Sequence, residues 1–230
     1  MNSWILAIDT STEACSCALG NAVSTATDDF RYTDVPRKHA EKVLPMVDEL
    51  LAAAQINKSQ VSAIAFGRGP GAFTGLRIAA SVVQGLAFAL DIPVIPISSL
   101  LALAQRGYRE FNQKQTIAAI DARMGEIYWG CYQLTEQQFM RPVDEEKLTA
   151  PANLQFPSQV TVAWSGIGTG WQYQRQMPNP GRQIREPVDH AFTHGIDILT
   201  LARPRFRNQE VVAPELAVPV YLRNQVVQKP

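Results

Sequence analysis

The chain has 230 residues, 46% hydrophobic and 18% charged, with Lys+Arg and Asp+Glu equal at 21 each. That length can bury the core of one large or two small domains, and the balance excludes a disordered chain. Zero net charge supplies no field toward nucleic acid. The one dense basic run, Arg203–Pro204–Arg205–Phe206–Arg207, reads as the solvated end of a helix.

The first apolar run, Trp4 to Ile8, is shorter than the apolar region of a signal peptide and stops at Asp9. It predicts a strand over 4–9. Alternation over 15–19 and 22–30 predicts two more strands, joined at the turn dipeptide Gly20–Asn21. Residues 38–54 read as a helix whose apolar positions, from Ala40 to Ala54, cover about half the wheel, where a stripe of about 100° would suffice. Either a deeper groove of its own core or a partner surface accounts for the excess. Pro45 predicts a kink.

A buried strand over 61–67 leads through GRGPGAFTG into a helix over 74–90, apolar nearly all round. Ser81, Gly85 and Ala89 make a small-residue stripe along it, which lets another backbone approach. Strand 94–97 and helix 99–111 follow. Strands 116–120 and 126–132 flank a hairpin, Asp121–Gly125, and a charged region covers 135–159. A strand is expected at 160–164, glycine-rich GIGTG at 166–170, a loop over 177–187 and a last amphipathic helix over 189–203. The mixture predicts two α/β lobes, the first spanning 1–110 and completed by about 205–230, the second 111–204. No stretch approaches the ~20 apolar residues of a membrane span. Cys15, Cys17 and Cys131 are expected to be buried reduced thiols, which fits a cytoplasmic chain.

Two turns could carry chemistry. Asp9–Thr10–Ser11–Thr12, at the end of the first strand, offers hydroxyls and backbone N–H groups to a phosphate and a carboxylate to a metal. The same residues can equally cap their own turn. In the second, Gly67–Arg77, Gly71 and Gly75 allow close approach of backbone, and Thr74 is a candidate N-cap at an anion-attracting helix start. It is neither a P-loop nor a dinucleotide fingerprint. His190 and His194 would lie one turn apart on the last helix, but no third ligand is near them in sequence, so no metal site is expected. His39 opens the wide-faced helix, where packing or an interface outweighs catalysis. No nucleophile set supports a peptidase.

The segments ILAIDTSTEACSCAL (5–19), HAEKVLPMVDELL (39–51), GRGPGAFTGLRIAASVVQGLAFAL (67–90), AAIDARMGEIYWGCY (118–132) and PVYLRNQV (219–226) together resemble the TsaB (YeaZ) family. The likeness runs from residue 5 to about 133, resumes around 166–171 and returns at 219–226, with 134–160 matched poorly. It implies a two-lobed fold of the actin, hexokinase and Hsp70 type, each lobe a mixed sheet with flanking helices. It also implies a part in forming threonylcarbamoyladenosine beside the tRNA anticodon. There a catalytic paralogue, TsaD, transfers the threonylcarbamoyl group from threonylcarbamoyl-AMP, helped by the ATPase TsaE.

The paralogue carries two metal-binding histidines one turn apart, and this sequence has Ser99 and Leu103 at those positions. It also has Ser11 where active members of the fold carry glycine, and the second phosphate segment survives at most as GIGTG. The resemblance therefore implies no catalytic residues, metal or cofactor in the isolated chain. It leaves Asp9, Thr10, Ser11, Gly71, Thr74 and Gly75 as a vestigial phosphate turn or a nucleotide site shared with the partner. It assigns the partner interface to His39, Val43, Met46, Val47, Leu50, Leu51, Ser81, Gly85 and Ala89. TsaD is the expected partner, with a homodimer when alone and tRNA reached only through the complex. The alternative is a nucleotide-binding kinase or ATPase of the same fold.

Overall fold

A computed structural model describes residues 3–34, 36–156, 164–178 and 184–223. Its first sheet runs in the order β3 (Asp29–Thr33), β2 (Cys15–Asn21), β1 (Trp4–Asp9), β4 (Val61–Gly67), β5 (Val94–Ile97). β1 is buried on both faces, which is why it reads as a continuous apolar run rather than alternating. It pairs antiparallel with β2 and parallel with β4, in a register that sets Asp9 opposite Ser16. Helices α1 (His39–Ala53) and α2 (Phe73–Leu90) cover one face of this sheet, and α4 (Gly195–Arg207) covers the other.

The second sheet has the order β11 (Ile184–Val188), β10 (Trp164–Ile167), β6 (Gln115–Asp121), β7 (Ile127–Leu134), β8 (Met140–Pro142), with β9 (Lys147–Thr149) also on β7. Helix α3 (Ser99–Phe111) packs on it and against α4, so one apolar core runs through both lobes. A separate cluster holding Trp129, Trp164 and Trp171 closes the outer face of the second sheet. The mixed two-lobed α/β arrangement is the expected fold class.

The structure corrects several expectations. Gly20–Asn21 is the end of β2, not a turn, and β3 begins only at Asp29. A Cβ at Gly20 would collide with Asp28 and with Arg203, so the glycine makes room for that buried ion pair. Arg203 is itself buried, and Arg205 donates to the Pro96 carbonyl at 2.6 Å, so the basic run is not a solvated end. The last helix starts six residues later than expected, capped by His194, whose Nδ1 accepts from Ile196 N at 3.2 Å. Residues 191–194 lie outside the helix, where Thr193 donates to Asp9 at 2.6 Å. The expected loop at 177–187 contains β11, and the strand expected at 160–164 falls mostly outside the described residues. Helix α1 continues through Pro45. α2 has the length and hydropathy of a membrane-spanning helix, yet Leu76, Ala79, Ala80, Val83 and Ala87 recur at helical spacing and are buried within the fold. Finally, α3 packs on the second sheet and α4 on the first, the reverse of a division at residue 110.

Candidate functional site

Strand β1 delivers Asp9 to a site with almost no water. Asp9 is 1% exposed, and burial pushes its carboxyl above the usual range, opposed by hydrogen bonds from Thr193 and Ser11 and by nearby His39. Its Oδ1 accepts from Ser11 N at 2.9 Å, Ser11 Oγ at 2.9 Å and Thr193 Oγ1 at 2.6 Å. Thr12 Oγ1 lies 3.1 Å from Thr193 Oγ1. Thr10 Oγ1 donates to the Gly75 carbonyl at 2.6 Å. The turn's three hydroxyls thus all have protein partners, and the Ser11 N–H is spent on Asp9. Replacing this set by an external phosphate would strand several buried polar groups at once.

The glycine loop completes the closure. Ala72 N donates to the Ser11 carbonyl at 2.7 Å. A Cβ at Gly71 would overlap that same oxygen, and one at Gly75 would overlap the Thr10 carbonyl oxygen. These glycines are needed for backbone to meet backbone, so the two candidate turns form one packed junction. Thr74 is not the N-cap: Ala72 holds that position, and Thr74 lies exposed in the first turn. In the second lobe, Gly168 has φ of 103° and a Cβ there would overlap the Ala119 carbonyl and Leu103. The segment 166–170 is therefore closed against β6 rather than open to a ligand.

Beside the junction, a cleft of about 310 Å³ lies between the lobes. Its walls include Thr12, Glu13, Phe73 and Thr74 from the first lobe, and Arg123 and Tyr128 from the second. Arg123 is spent on Glu13 at 2.7 Å and Asp121 at 3.0 Å.

Ser99 and Leu103 are both fully buried on α3. Ser99 Oγ accepts from Gly69 N at 3.2 Å, and Leu103 sits in the core that joins the lobes. Neither offers a metal a lone pair at an open position. His190 and His194 also fail to form a pair, because His190 lies in a turn and His194 is the cap of α4. His194 is buried between Phe30 and Tyr32, with ring centroids at 4.7 and 4.9 Å. Burial and the nearby Arg109 and Arg106 push its imidazole down to about 3.

The expected interface residues divide in two. On α1, His39, Val43, Met46, Val47, Leu50 and Leu51 are all buried within the chain's own fold, the five apolar ones packed with β1, β2 and β4. These six are covered by the chain's own core and do not form an accessible surface, whereas Ala40, Leu44 and Ala53, in the same arc, are exposed. On α2, Ser81, Gly85 and Ala89 are exposed, and a Cβ at Gly85 would meet nothing within 4 Å. Around them lie half-buried Ile78, Val82 and Leu86, with Phe88 80% exposed and Leu44 of α1 45% exposed. A shallow groove between the helices is lined by Ala40, Phe73, Arg77, Ile78, Ser81 and Val82. Ala40 and Leu44 belong to the apolar arc expected from the sequence, but periodicity does not tell its exposed positions from its buried ones, because both share one continuous arc.

A protein family described as TsaD, tRNA N6-adenosine threonylcarbamoyltransferase, matches residues 33–228. A relative from Escherichia coli (strain K12), named tRNA threonylcarbamoyladenosine biosynthesis protein TsaB, is 38% identical over 98% of this chain and 96% of its own length. The protein of the same name from Haemophilus influenzae is 36% identical over 99% and 97%. Among solved structures, YeaZ from Pseudomonas aeruginosa superposes with a TM-score of 0.87 at 47% identity, covering 95% of this chain and 100% of the other. A second, described as an uncharacterized protein with similarity to peptidase YEAZ from the same organism, reaches 0.89 at 48% identity, covering 96% and 100%.

Proposed function

The chain belongs to the TsaB (YeaZ) family, and on that premise we propose that it is a non-catalytic subunit of the machinery that forms threonylcarbamoyladenosine in tRNA. In this reading it pairs with TsaD through the outer face of α1 and α2. TsaD, assisted by TsaE, then transfers the threonylcarbamoyl group from threonylcarbamoyl-AMP to the adenosine beside the anticodon. The observation that carries the reading is the contrast between two regions. The Asp9–Thr12 turn spends its polar groups internally, whereas α2 exposes Gly85 and Phe88 on an apolar face. A face of that kind is unfavourable in water and favours association. The stripe of small residues permits a helix from a partner to come close.

The same face accounts for self-association when TsaD is absent, as a two-fold dimer that competes with the heterodimer. The chain acts in the cytoplasm and touches tRNA, the substrate of the complex, only through that complex. It holds no nucleotide of its own, because its phosphate turns are committed to Asp9, Thr193, Gly75 and Ala119. Co-purification with TsaD followed by crosslinking tests the pairing. Crosslinks at Ala40, Leu44, Ser81 and Phe88 support it, and crosslinks confined to the second lobe refute it. Tight binding of Mg-ATP by the isolated chain would instead favour a kinase or ATPase.

A further inference from the structure

The lobes are joined twice: through the core, where α3 meets α4, and again by the C-terminal segment. After α4, Val212 pairs with Val94 at the edge of β5, with N–O distances of 2.8 and 2.9 Å. The segment then runs along α2, where Ala217 is fully buried and its carbonyl accepts from Gln84 Nε2 at 3.2 Å. Val220 N donates to the Arg68 carbonyl at 2.8 Å. The Tyr221 ring rests against Phe73 at 5.5 Å between centroids, and its Oη accepts from Arg77 Nε at 3.4 Å. All these contacts belong to the first lobe.

Arg223 then reaches the β6–β7 hairpin of the second. Its Nη2 donates to Glu126 Oε2 at 2.6 Å and to the carbonyls of Ala122 and Arg123 at 3.2 and 3.4 Å, while Nη1 meets Met124 Sδ at 2.8 Å. The hairpin offers these groups together because Arg123, Met124 and Gly125 all have positive φ, at 62°, 56° and 75°. We propose that residues 212–223 are a strap, with Tyr221 and Arg223 as its clasp, that fixes the angle between the two lobes. The cleft beside Asp9 then has one width, and the chain presents a rigid body instead of opening and closing about the α3–α4 contact.

The chemistry singles out Arg223. Its Nη2 carries two N–H groups: one makes the 2.6 Å bond to Glu126, and the other lies between the carbonyls of Ala122 and Arg123, so one nitrogen ties the segment to both backbone and side chain of the hairpin. Arg123 also bridges to Glu13 across the cleft, with side chains 71% and 35% exposed. In the Arg223–Glu126 pair the side chains are 15% and 37% exposed, so the two carboxylates are alike and the difference lies in the better-shielded arginine.

Double electron–electron resonance on the full-length chain tests the strap. Spin labels go on Ser59→Cys in the first lobe and Gln137→Cys in the second, both exposed positions. Cys15, Cys17 and Cys131 are buried, and their thiols are pushed above the usual range, so they do not compete for label. With the labelled chain diluted in an excess of unlabelled chain, so that only label pairs within one molecule are read, the strapped chain gives one narrow distance. Arg223→Ala widens that distribution by about two-fold or more, or adds a second distance, as expected for a released hinge, while Arg123→Ala leaves it unchanged. Tyr221→Ala, which frees the clasp from α2 without touching Arg223, widens it too and gives a second reading should Arg223→Ala fold poorly. Two distances in the unmodified chain, or a single narrow distance in both strap variants, overturns the proposal.

Discussion

Two glycines ten residues apart on α2 separate what the helix hides from what it presents. Replacing Gly75 by alanine puts a Cβ into the Thr10 carbonyl, with the carbonyl carbon at 3.0 Å. That atom belongs to backbone in a packed junction, so the helix start must move. Overpacking of this kind costs about 1–3 kcal/mol. Movement also weakens the 2.6 Å bond from Thr10 to the Gly75 carbonyl, worth about 1 kcal/mol. The intrinsic gain from glycine to alanine in a helix returns at most about 1 kcal/mol. Gly75→Ala therefore destabilises by about 1–3 kcal/mol, a fall in Tm of roughly 3–10 °C for a chain of this size.

Gly85→Ala keeps the propensity gain and meets no obstacle, so its Tm rises by about 2–4 °C. Thermal denaturation followed by circular dichroism reads both. It is run at low and matched protein concentrations, because self-association would otherwise add its own stabilisation. A Gly75→Ala variant that melts at or above the unmodified chain would falsify the packed junction. A Gly85→Ala variant that melts lower under dilution would show that Gly85 is not open.

The remaining predictions concern buried charge. His194 is neutral in the fold, with its imidazole pushed down to about 3, whereas the unfolded chain takes up a proton near its ordinary value of 6.5. Its contribution to stability is therefore complete above pH 6.5 and lost as pH falls from there toward 3. His194→Asn keeps a capping acceptor but does not titrate. Urea melts of the two proteins should show the unmodified chain losing about 2 kcal/mol relative to His194→Asn on going to about pH 5. A difference that stays constant with pH excludes the neutral buried imidazole. Arg109 holds the fully buried Asp197 through two bonds of 2.8 Å between α3 and α4. Arg109→Ala leaves that carboxylate alone and costs about 3–5 kcal/mol in chemical denaturation at neutral pH. A loss under about 1 kcal/mol, the range of a surface pair, would contradict a structural role for it.

The inner strands were legible in the sequence because they are short apolar runs bounded by turn residues, and the first and last residues of β1, β4 and β5 agree with that pattern. The strands β8, β9 and β11 are short, polar or proline-bearing, and carry no such signal. Three other features were not legible, each because a distant partner decides a local conformation. Gly20 reads as a turn, but it is a strand glycine that makes room for Asp28 and Arg203. Residues 189–194 have helical spacing, yet Thr193 is recruited by Asp9 and the helix waits for His194. The wide arc of α1 allowed two explanations, and only the packing distinguishes the buried Val43, Met46, Val47, Leu50 and Leu51 from the exposed Leu44. The candidate site was legible in its residues and not in its state. Asp9, Thr10, Ser11, Gly71 and Gly75 do come together, but as a closed junction whose hydroxyls face protein.

In the proposed function the chain works through the outer face of α2 and has no chemistry of its own. Gly85→Arg addresses it directly, since the new side chain enters open space and leaves the fold intact while blocking close approach of another helix. Threonylcarbamoyl transfer to tRNA is reconstituted with TsaD and TsaE, and pairing with TsaD is measured on the same samples. Gly85→Arg should melt within a few degrees of the unmodified chain and lose pairing and tRNA modification together. Modification that persists after pairing is lost, or pairing that survives the arginine, contradicts the proposed function.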